Sequence, residues 1–316
     1  MGRIHRPRFG SLQFWPRKRA AKIVPTVNWK PVELKSKKQI LGFLGYKVGM
    51  ATILAKDLTN DSKTKEKRIS IPVSIIECPP MKVFSIRFYK NKKTVFEVLA
   101  ENIDKEMKRK IKLPKKKGNL ENIPDYDDIR LLVYSDVKKT GLKKTPDIAE
   151  IGLKGTKEEK LNLSKSLLGK EITVSDVFDK MQLVDVRGVT VGKGRQGPIK
   201  RFGIGKKSHK TEKGVRNPGS LGPWFPHRVT FKAPQAGQTG YFTRVIYNLK
   251  LMDLGKTKEK DINLPQGFRR YGKIKSDYII VRGSVQGPEK RVLVITHPIR
   301  PTKKQVKKNF EIIRIE

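Results

Sequence analysis

The chain has a single cysteine, Cys78, in 316 residues. That excludes an intrachain disulfide framework and any metal cage built from several thiolates. Cys78 lies in IPVSIIECPP, a β-rich run where a buried, inert thiol is expected. Acid is scarce too: 30 Asp and Glu face 71 Lys and Arg, a formal net charge of +41. No apolar run approaches the roughly 18 residues that a membrane-crossing helix needs. Nor is there a basic amphipathic helix with a continuous apolar face, so no membrane partner is expected. The N-terminus MGRIHRPRFGSLQFWPRKRA is charged but has no apolar stretch of the secretory kind, which predicts a cytoplasmic protein. Four histidines, His5, His209, His227 and His297, are far apart and without metal-ligand spacing. Neither a metal nor a cofactor is expected. Hydrophobic residues make up 36%, so the core is smaller than the length would allow.

What is present is positive charge in blocks. Residues 1–40 hold eleven Lys and Arg and one acid, Glu33. Val186 to Met252 hold fourteen and again one acid, Glu212. Residues 91–180 carry 21 basic and 16 acidic residues, close to ordinary. An ordinary surface intersperses signs. Single-sign blocks rich in Gly and Pro predict segments that order against a polyanion.

Short strands dominate the pattern. Ile40–Ala55, Ile69–Glu77, Lys82–Tyr89, Ile129–Tyr134, Leu183–Val191, Tyr241–Leu249, Asp277–Gly283 and Arg291–Thr296 are rich in β-branched and aromatic residues and separated by turn residues. Many short strands predict a closed or nearly closed barrel. In the insert, Val98, Leu99, Ile103 and Met107 recur at helical spacing, which predicts a helix over 96–111. A second helix is expected over 158–168, and Ser175 is a candidate cap for a third. The insert reads as a packing subdomain with surface charge.

Residues 188–203 read GVTVGKGRQGPIKRFG and contain a literal G-x-G-x-x-G. A dinucleotide site needs a strand before it, a helix opening at the third glycine, and an acid about 20 residues on. Leu183–Val191 supplies the strand, but Pro198 and the glycines after it argue against the helix. A P-loop fails as well, because Gly194 follows Lys193 where Ser or Thr is needed. A different reading absorbs more residues. Nine glycines lie between Arg187 and Gly222, and Lys193, Arg195, Lys200, Arg201, Lys206, Lys207, Lys210, Lys213 and Arg216 recur among them. Glycine lets a backbone approach a ligand closely, and its N–H groups can face phosphate oxygens. Each cation can neutralise a phosphate. With almost nothing apolar to bury, such a thread is expected to fold only against RNA. At LGPWFPHRVTF, residues 221–231, two readings stay open. Trp224 and Phe225 stack on bases, or they form a small packing cluster within the loop.

Several long segments carry a family resemblance. RPRFGSLQFWPRKRA (6–20) resembles an opening of the form PR-x-G-x-L-x-F-x-PRKRA. FLGYKVGM (43–50), the GKG-x-x-G-x-x-KRFG stretch, PGSLGPWFPHRV (218–229), AGQTGYFTR (236–244) and QGFRRYGKIKSDYIIVRGSVQG (266–287) follow in the same order. Together they resemble the universal large-subunit ribosomal protein family number three in its archaeal–eukaryotic form. The resemblance implies a mainly β fold: a translation-protein-type β-barrel with an α+β insert, a basic N-terminal arm and a long basic internal extension. The expected boundaries are 1–40 for the arm, 41–90 with 181–316 for the barrel, 91–180 for the insert and 187–238 for the extension. It also implies a structural constituent of the large ribosomal subunit, not an enzyme. Its partners would be large-subunit rRNA and neighbouring large-subunit proteins, not DNA. The family binds early in subunit assembly, its arm threads through RNA beside the extension, and the extension reaches toward the peptidyl transferase centre. By its G-x-W-x-P setting, Trp224 takes the tip position, near where aminoacyl-tRNA enters.

The residues expected to meet RNA are, in the arm, Arg3, Arg6, Arg8, Trp15, Arg17, Lys18 and Arg19, and, in FLGYK, Lys47. In the extension they are Lys193, Arg195, Lys200, Arg201, Lys206, Lys207, His209, Lys210 and Arg216. Around the tip they are Trp224, His227, Arg228 and Lys232, with Arg244 on the return. Lys200 stands where eukaryotic members carry a modifiable histidine, and Pro223 and Phe225 stand where other members often have Ala and His. The rival reading is a free regulatory RNA-binding protein or an RNA-modifying enzyme; the missing cofactor loop speaks against the enzyme.

Overall fold

The computed structural model describes residues 12–34, 36, 38–112, 114, 118 and 123–315. Its strands are β1 (Gly42–Asp57), β2 (Arg68–Glu77), β3 (Met81–Lys90), β4 (Lys93–Leu99), β5 (Asp128–Ser135), β6 (Ile148–Gly152) and β7 (Glu171–Ile172). There follow β8 (Leu183–Val189), β9 (Gly192–Gln196), β10 (Gly237–Gly240), β11 (Thr243–Gly255), β12 (Tyr278–Arg282), β13 (Val292–Thr296) and β14 (Phe310–Ile315). The α-helices are short: α1 (Lys30–Glu33), α2 (Val137–Thr140), α3 (Lys157–Leu167), α4 (Val174–Val177), α5 (Pro198–Phe202) and α6 (Lys303–Val306). The described residues form two compact units, one of residues 12–22 with 189–243, the other of 23–188 with 244–315.

The larger unit is built on a ring of strands. The order β13-β8-β11-β12-β2-β1 is closed by antiparallel pairing of β1 with β13, and β14 attaches beside it. One long strand makes closure possible. β1 pairs with β2 from Tyr46 to Lys56, with β13 over Gly42–Tyr46 and with β14 over Ile53–Asp57. Register shifts at Lys47/Gly49 and Leu54/Ala55 mark irregularities of the bulge kind, which bend a strand and raise its twist. A closed ring removes the exposed edges that would otherwise invite aggregation. Tyr278, Ile279, Ile280 and Val281 of β12 and Leu293, Val294 and Ile295 of β13 are buried, as the apolar runs of these strands require.

The second sheet runs β4-β3-β5-β6, with β7 also on β3. β3, grouped with the barrel in the sequence reading, therefore belongs to the insert. The expected helix over 96–111 is absent. Residues 93–99 are β4, paired with β3 from Ser85 to Lys90, and only Lys105–Arg109 form a 3-10 turn. A short apolar run satisfies both periods, and cross-strand pairing decides. Glu97 fixes that pairing by accepting hydrogen bonds from Ser85 Oγ at 2.7 Å and Arg87 Nε at 3.0 Å. The helix expected over 158–168 is α3, opened by a capping box between Thr156 and Glu159. The cap of α4 is Thr173 rather than Ser175, and its N–H donates to Asp176 Oδ2 at 2.8 Å.

Trp29, read from sequence as part of the basic arm, is 3% exposed. A methyl group on Gly42 of β1 or Gly152 of β6 would meet its ring within 2.9 Å. The indole thus fills space that two glycines leave open where the ring of strands meets the insert sheet. Glu77, at the end of β2, is fully buried. It accepts hydrogen bonds from Lys275 N at 2.8 Å, Ser276 N at 2.9 Å, Ser276 Oγ at 2.9 Å and the Tyr271 hydroxyl. One carboxyl group thereby organises the chain leading into β12.

Candidate nucleic-acid interface

The smaller unit is where the sequence concentrates expected RNA contacts. β9 and β10 form an antiparallel pair, Gly237 opposite Gln196 and Gly240 opposite Gly192. The glycines of G-x-G-x-x-G therefore lie in and just after a hairpin strand, not in a strand-to-helix phosphate turn. A helix does follow, against the sequence expectation: α5 opens with Pro198 after Gly197 and stops at Gly203, which has φ 61°. Proline is well tolerated in a first helical turn and glycine ends a helix in the left-handed region. The result is five residues long, with an antiparallel partner for β9 and no βαβ unit. Gly240 closes the hairpin at φ 71°, where a side chain would lie 2.0 Å from the Val191 carbonyl oxygen.

This unit has an aromatic cluster that the sequence reading did not foresee, with Phe202 buried, Trp15 half-buried and Phe231 exposed. Trp15 of the arm stacks on Phe202 of α5 with ring centroids 6.2 Å apart, and meets Phe231 edge-on at 5.4 Å. The Arg17 guanidinium lies over both rings, 4.9 Å from Trp15 and 4.3 Å from Phe202. Each such cation–aromatic contact contributes about 0.5–2 kcal/mol, more as water is excluded. Arg17 Nη1 also donates to the Arg201 carbonyl at 3.4 Å. Arg201 in turn lies over Phe202 and donates to the carbonyls of Gln238 at 3.1 Å and Gln235 at 3.0 Å. Gly237 leaves room for that guanidinium, since a methyl there would meet it at 2.9 Å. The arm is tied to the extension again where Ala20 N donates to the Tyr241 carbonyl at 2.8 Å.

The expected RNA contacts therefore divide. Arg3, Arg6 and Arg8 lie outside the described residues. Trp15, Arg17 and Arg201 are half-buried and hold the unit together, and burial lowers the pKa of Arg201. Lys47 belongs to the larger unit and is also structural. Its Nζ donates to the carbonyls of Val285 at 2.8 Å and Gly287 at 2.9 Å, and burial lowers its pKa. Its ammonium group thereby ties a turn to β1. Arg244 is half-buried, its pKa lowered by burial. Lys18, Arg19, Lys193, Arg195, Lys200, Lys206, Lys207, His209, Lys210, Arg216, His227, Arg228 and Lys232 are exposed. Phe202 and Phe231 were missed as organisers. The only sequence signal was an aromatic next to a cation at each end of a glycine-rich loop, Phe202 after Arg201 and Phe231 before Lys232.

The tip has no core. Every residue from 221 to 230 is exposed, with Trp224 86% and Phe225 78% exposed. Their described ring contacts are edge-on to His227, at 5.4 Å and 6.0 Å. Of the two readings of these aromatics, packing within the loop does not cover them. Several glycines also face open space: a methyl group on Gly197, Gly205 or Gly219 would meet nothing within 4 Å. These glycines accommodate no neighbour within the chain, unlike Gly237 and Gly240.

The family model described as ribosomal protein L3 matches residues 1–314. The chain is 42% identical over 321 residues to the large ribosomal subunit protein uL3 of Methanobrevibacter smithii, covering 96% of this chain and 95% of the relative. It is 43% identical to the protein of that name from Methanosphaera stadtmanae, covering 97% and 95%. The Methanocaldococcus jannaschii protein is 42% identical, covering 96% and 94%. A match over the whole length, with the motif segments in one order, shows that the chain belongs to the ribosomal protein L3 family and is a structural component of the large ribosomal subunit, not an enzyme.

Proposed function

We propose that the smaller unit is the part of this large-subunit component that enters ribosomal RNA. The arm and the extension are held as one body by Trp15, Phe202, Phe231 and Arg17. That body presents lysines and arginines to rRNA phosphates, and its open glycines admit the RNA backbone closely. The extension reaches toward the peptidyl transferase centre, and Trp224 at its tip stacks or wedges near where aminoacyl-tRNA enters. The larger unit sits against the RNA surface and against neighbouring large-subunit proteins, and binding occurs early in subunit assembly. Association takes place in the cytoplasmic ribosome.

The observation that carries this reading is the exposed tip, Trp224 above all, at the end of a cation-bearing loop with one acid, Glu212, between Arg187 and Gly240. A large exposed aromatic on a basic loop has nothing to gain in water and about 1–3 kcal/mol to gain on a base.

Sedimentation of a native lysate through sucrose, at low and then high salt, tests the placement. The chain should travel with the large subunit through both, because deep insertion outlasts screening of surface phosphate contacts. Release to the top fractions at moderate salt would mean a peripheral electrostatic binder. Trp224→Ala should leave the thermal melt of the isolated protein within about 0.5 kcal/mol of wild type and impair translation. A large loss of stability would place Trp224 in a core instead.

A further inference from the structure

A second concentration of cations lies within the larger unit, in a groove where β14 joins the end of β1 and Phe310 pairs with Asp57. The groove has a volume of about 630 Å³, and Lys303, Lys304, Lys307, Lys308, Arg282 and Phe310 line it. The chain stays helical through Lys307, at φ −66° and ψ −19°. Lys303 and Lys307 therefore lie one turn apart on one face, and Lys304 and Lys308 on the next. Like charges at that spacing repel. Lys303, Lys304 and Lys307 are exposed. Lys308 is half-buried, and its pKa is pushed down by burial and then by Arg282 and Lys304. The Arg282 guanidinium lies 5.3 Å from the centre of the Phe310 ring, and its buried Nη1 has no hydrogen-bond partner among the described residues.

The two acids of the groove offset only part of this charge. Asp57 is buried, and it accepts from Thr59 N at 3.0 Å, Ser62 Oγ at 2.7 Å and Thr64 Oγ1 at 2.6 Å. Burial raises its pKa, but those hydrogen bonds outweigh burial and hold it below the usual carboxylate range. Asp61 is exposed, so two carboxylates stand against six cations, Lys63 included. The lining also lacks the exposed aromatic or aliphatic anchor that a protein partner uses, because Phe310 is buried and Ile69 half-buried. Lysines on flexible stems suit phosphates as point charges. With no base-reading amide in the lining, such a site positions RNA without reading its sequence.

We propose that this groove is a separate RNA-backbone site, in which Lys303, Lys304, Lys307, Lys308 and Arg282 clamp phosphodiesters of large-subunit rRNA without sequence preference. It rests on the reading of the chain as an rRNA-bound component, and the test separates the two. Cys78 is fully buried, so an added surface cysteine is the reactive one. Full-length Asp61→Cys, which removes an acid and keeps every cation, is tethered to an iron chelate that generates hydroxyl radicals and is assembled into large subunits. Ser220→Cys, on the extension, serves as the reference.

Strand scission of rRNA is expected from both positions, at different nucleotides. In parallel, Lys304→Glu with Lys307→Glu should lower the slope of log affinity against log salt for rRNA by about 2, one per lysine. Lys304→Gln with Lys307→Gln should show the same direction and guards against misfolding of the reversed-charge variant. Scission from Ser220→Cys alone overturns the groove and leaves the function standing. Scission from neither overturns the rRNA-bound reading itself. Crosslinks from Asp61→Cys to a protein without rRNA scission assign the groove to an acidic protein partner and overturn the proposal. Scission from Asp61→Cys with an unchanged salt slope means RNA passes by without being clamped, which also overturns it.

Discussion

The larger unit answers most of its own polar groups, whereas the smaller unit turns most of its charge outward. In the larger unit Arg130 Nη1 pairs with Glu150 at 2.7 Å, Arg87 Nη2 with Glu97 at 2.9 Å, and Lys160 with both Glu33 at 2.7 Å and Asp128 at 2.9 Å. Glu77 and Asp185 are buried and satisfied by backbone N–H groups. In the smaller unit the ordering contacts are of another kind: guanidinium on aromatic rings, guanidinium on carbonyl oxygens, and a hairpin. These contacts use cations without neutralising them. The unit can therefore be ordered and still carry its positive charge to the surface. Self-satisfaction marks the scaffold, and uncompensated charge on an ordered frame marks the unit proposed to meet RNA. The C-terminal groove is one place where the larger unit departs from its own rule.

The widest separation between the two units should come from Glu77→Ala. It leaves the Lys275 and Ser276 N–H groups and two hydroxyls, the buried Tyr271 one among them, without their acceptor. The larger unit should lose on the order of 3 kcal/mol or more in denaturant unfolding, while amide protection of β9 and β10 measured in the native state stays as it was. Equal loss of protection in the hairpin would show that the two units unfold together.

Phe202→Ala reverses the direction. Phe202 is 5% exposed, under Trp15 and Arg17. Hydrogen exchange in the hairpin and around Ala20 should rise by an amount equal to about 3 kcal/mol of local opening, with little change in the main unfolding transition. No change in exchange would mean the aromatic cluster does not hold the arm.

Acid should act on the larger unit through His297. It is 4% exposed beside Phe178, and burial lowers its pKa from 6.5 to about 4. The folded pKa lies below the unfolded one, so the unfolded state binds the proton first. This contribution is complete above about pH 6.5 and is lost as pH falls toward 4, reaching about 3 kcal/mol at most. The difference in stability between wild type and His297→Gln, measured from pH 7 to 4, should shrink by an amount up to that size. A pH-independent difference would show that His297 is protonated in the fold or not buried.

The sequence carried the strand content because β-branched runs between turn residues have few other uses. Eight of the strands, β1, β2, β3, β5, β8, β11, β12 and β13, were legible in this way. β14 (FEIIRI) was missed because it alternates weakly beside lysines, and β9 (GKGRQ) because nothing in it favours a strand except a partner 40 residues on. β4 was misread because its apolar residues fit a helix as well as a strand. In the site, the surface lysines were legible from charge alone. The structural roles of Lys47, Arg17 and Arg201 were not, since a basic residue donating to a carbonyl and one awaiting a phosphate look alike in sequence.

By itself, the sequence determined that this chain needs an anionic partner, that it has a β core, and to which family it belongs. Charge counts and ordered motifs do not depend on distance in space. Only the tertiary structure decided that Trp15, Phe202 and Phe231 meet, that Trp29 leaves the arm for the core, and which cations remain exposed. Those outcomes depend on side chains tens to hundreds of residues apart competing for the same buried space and the same backbone acceptors.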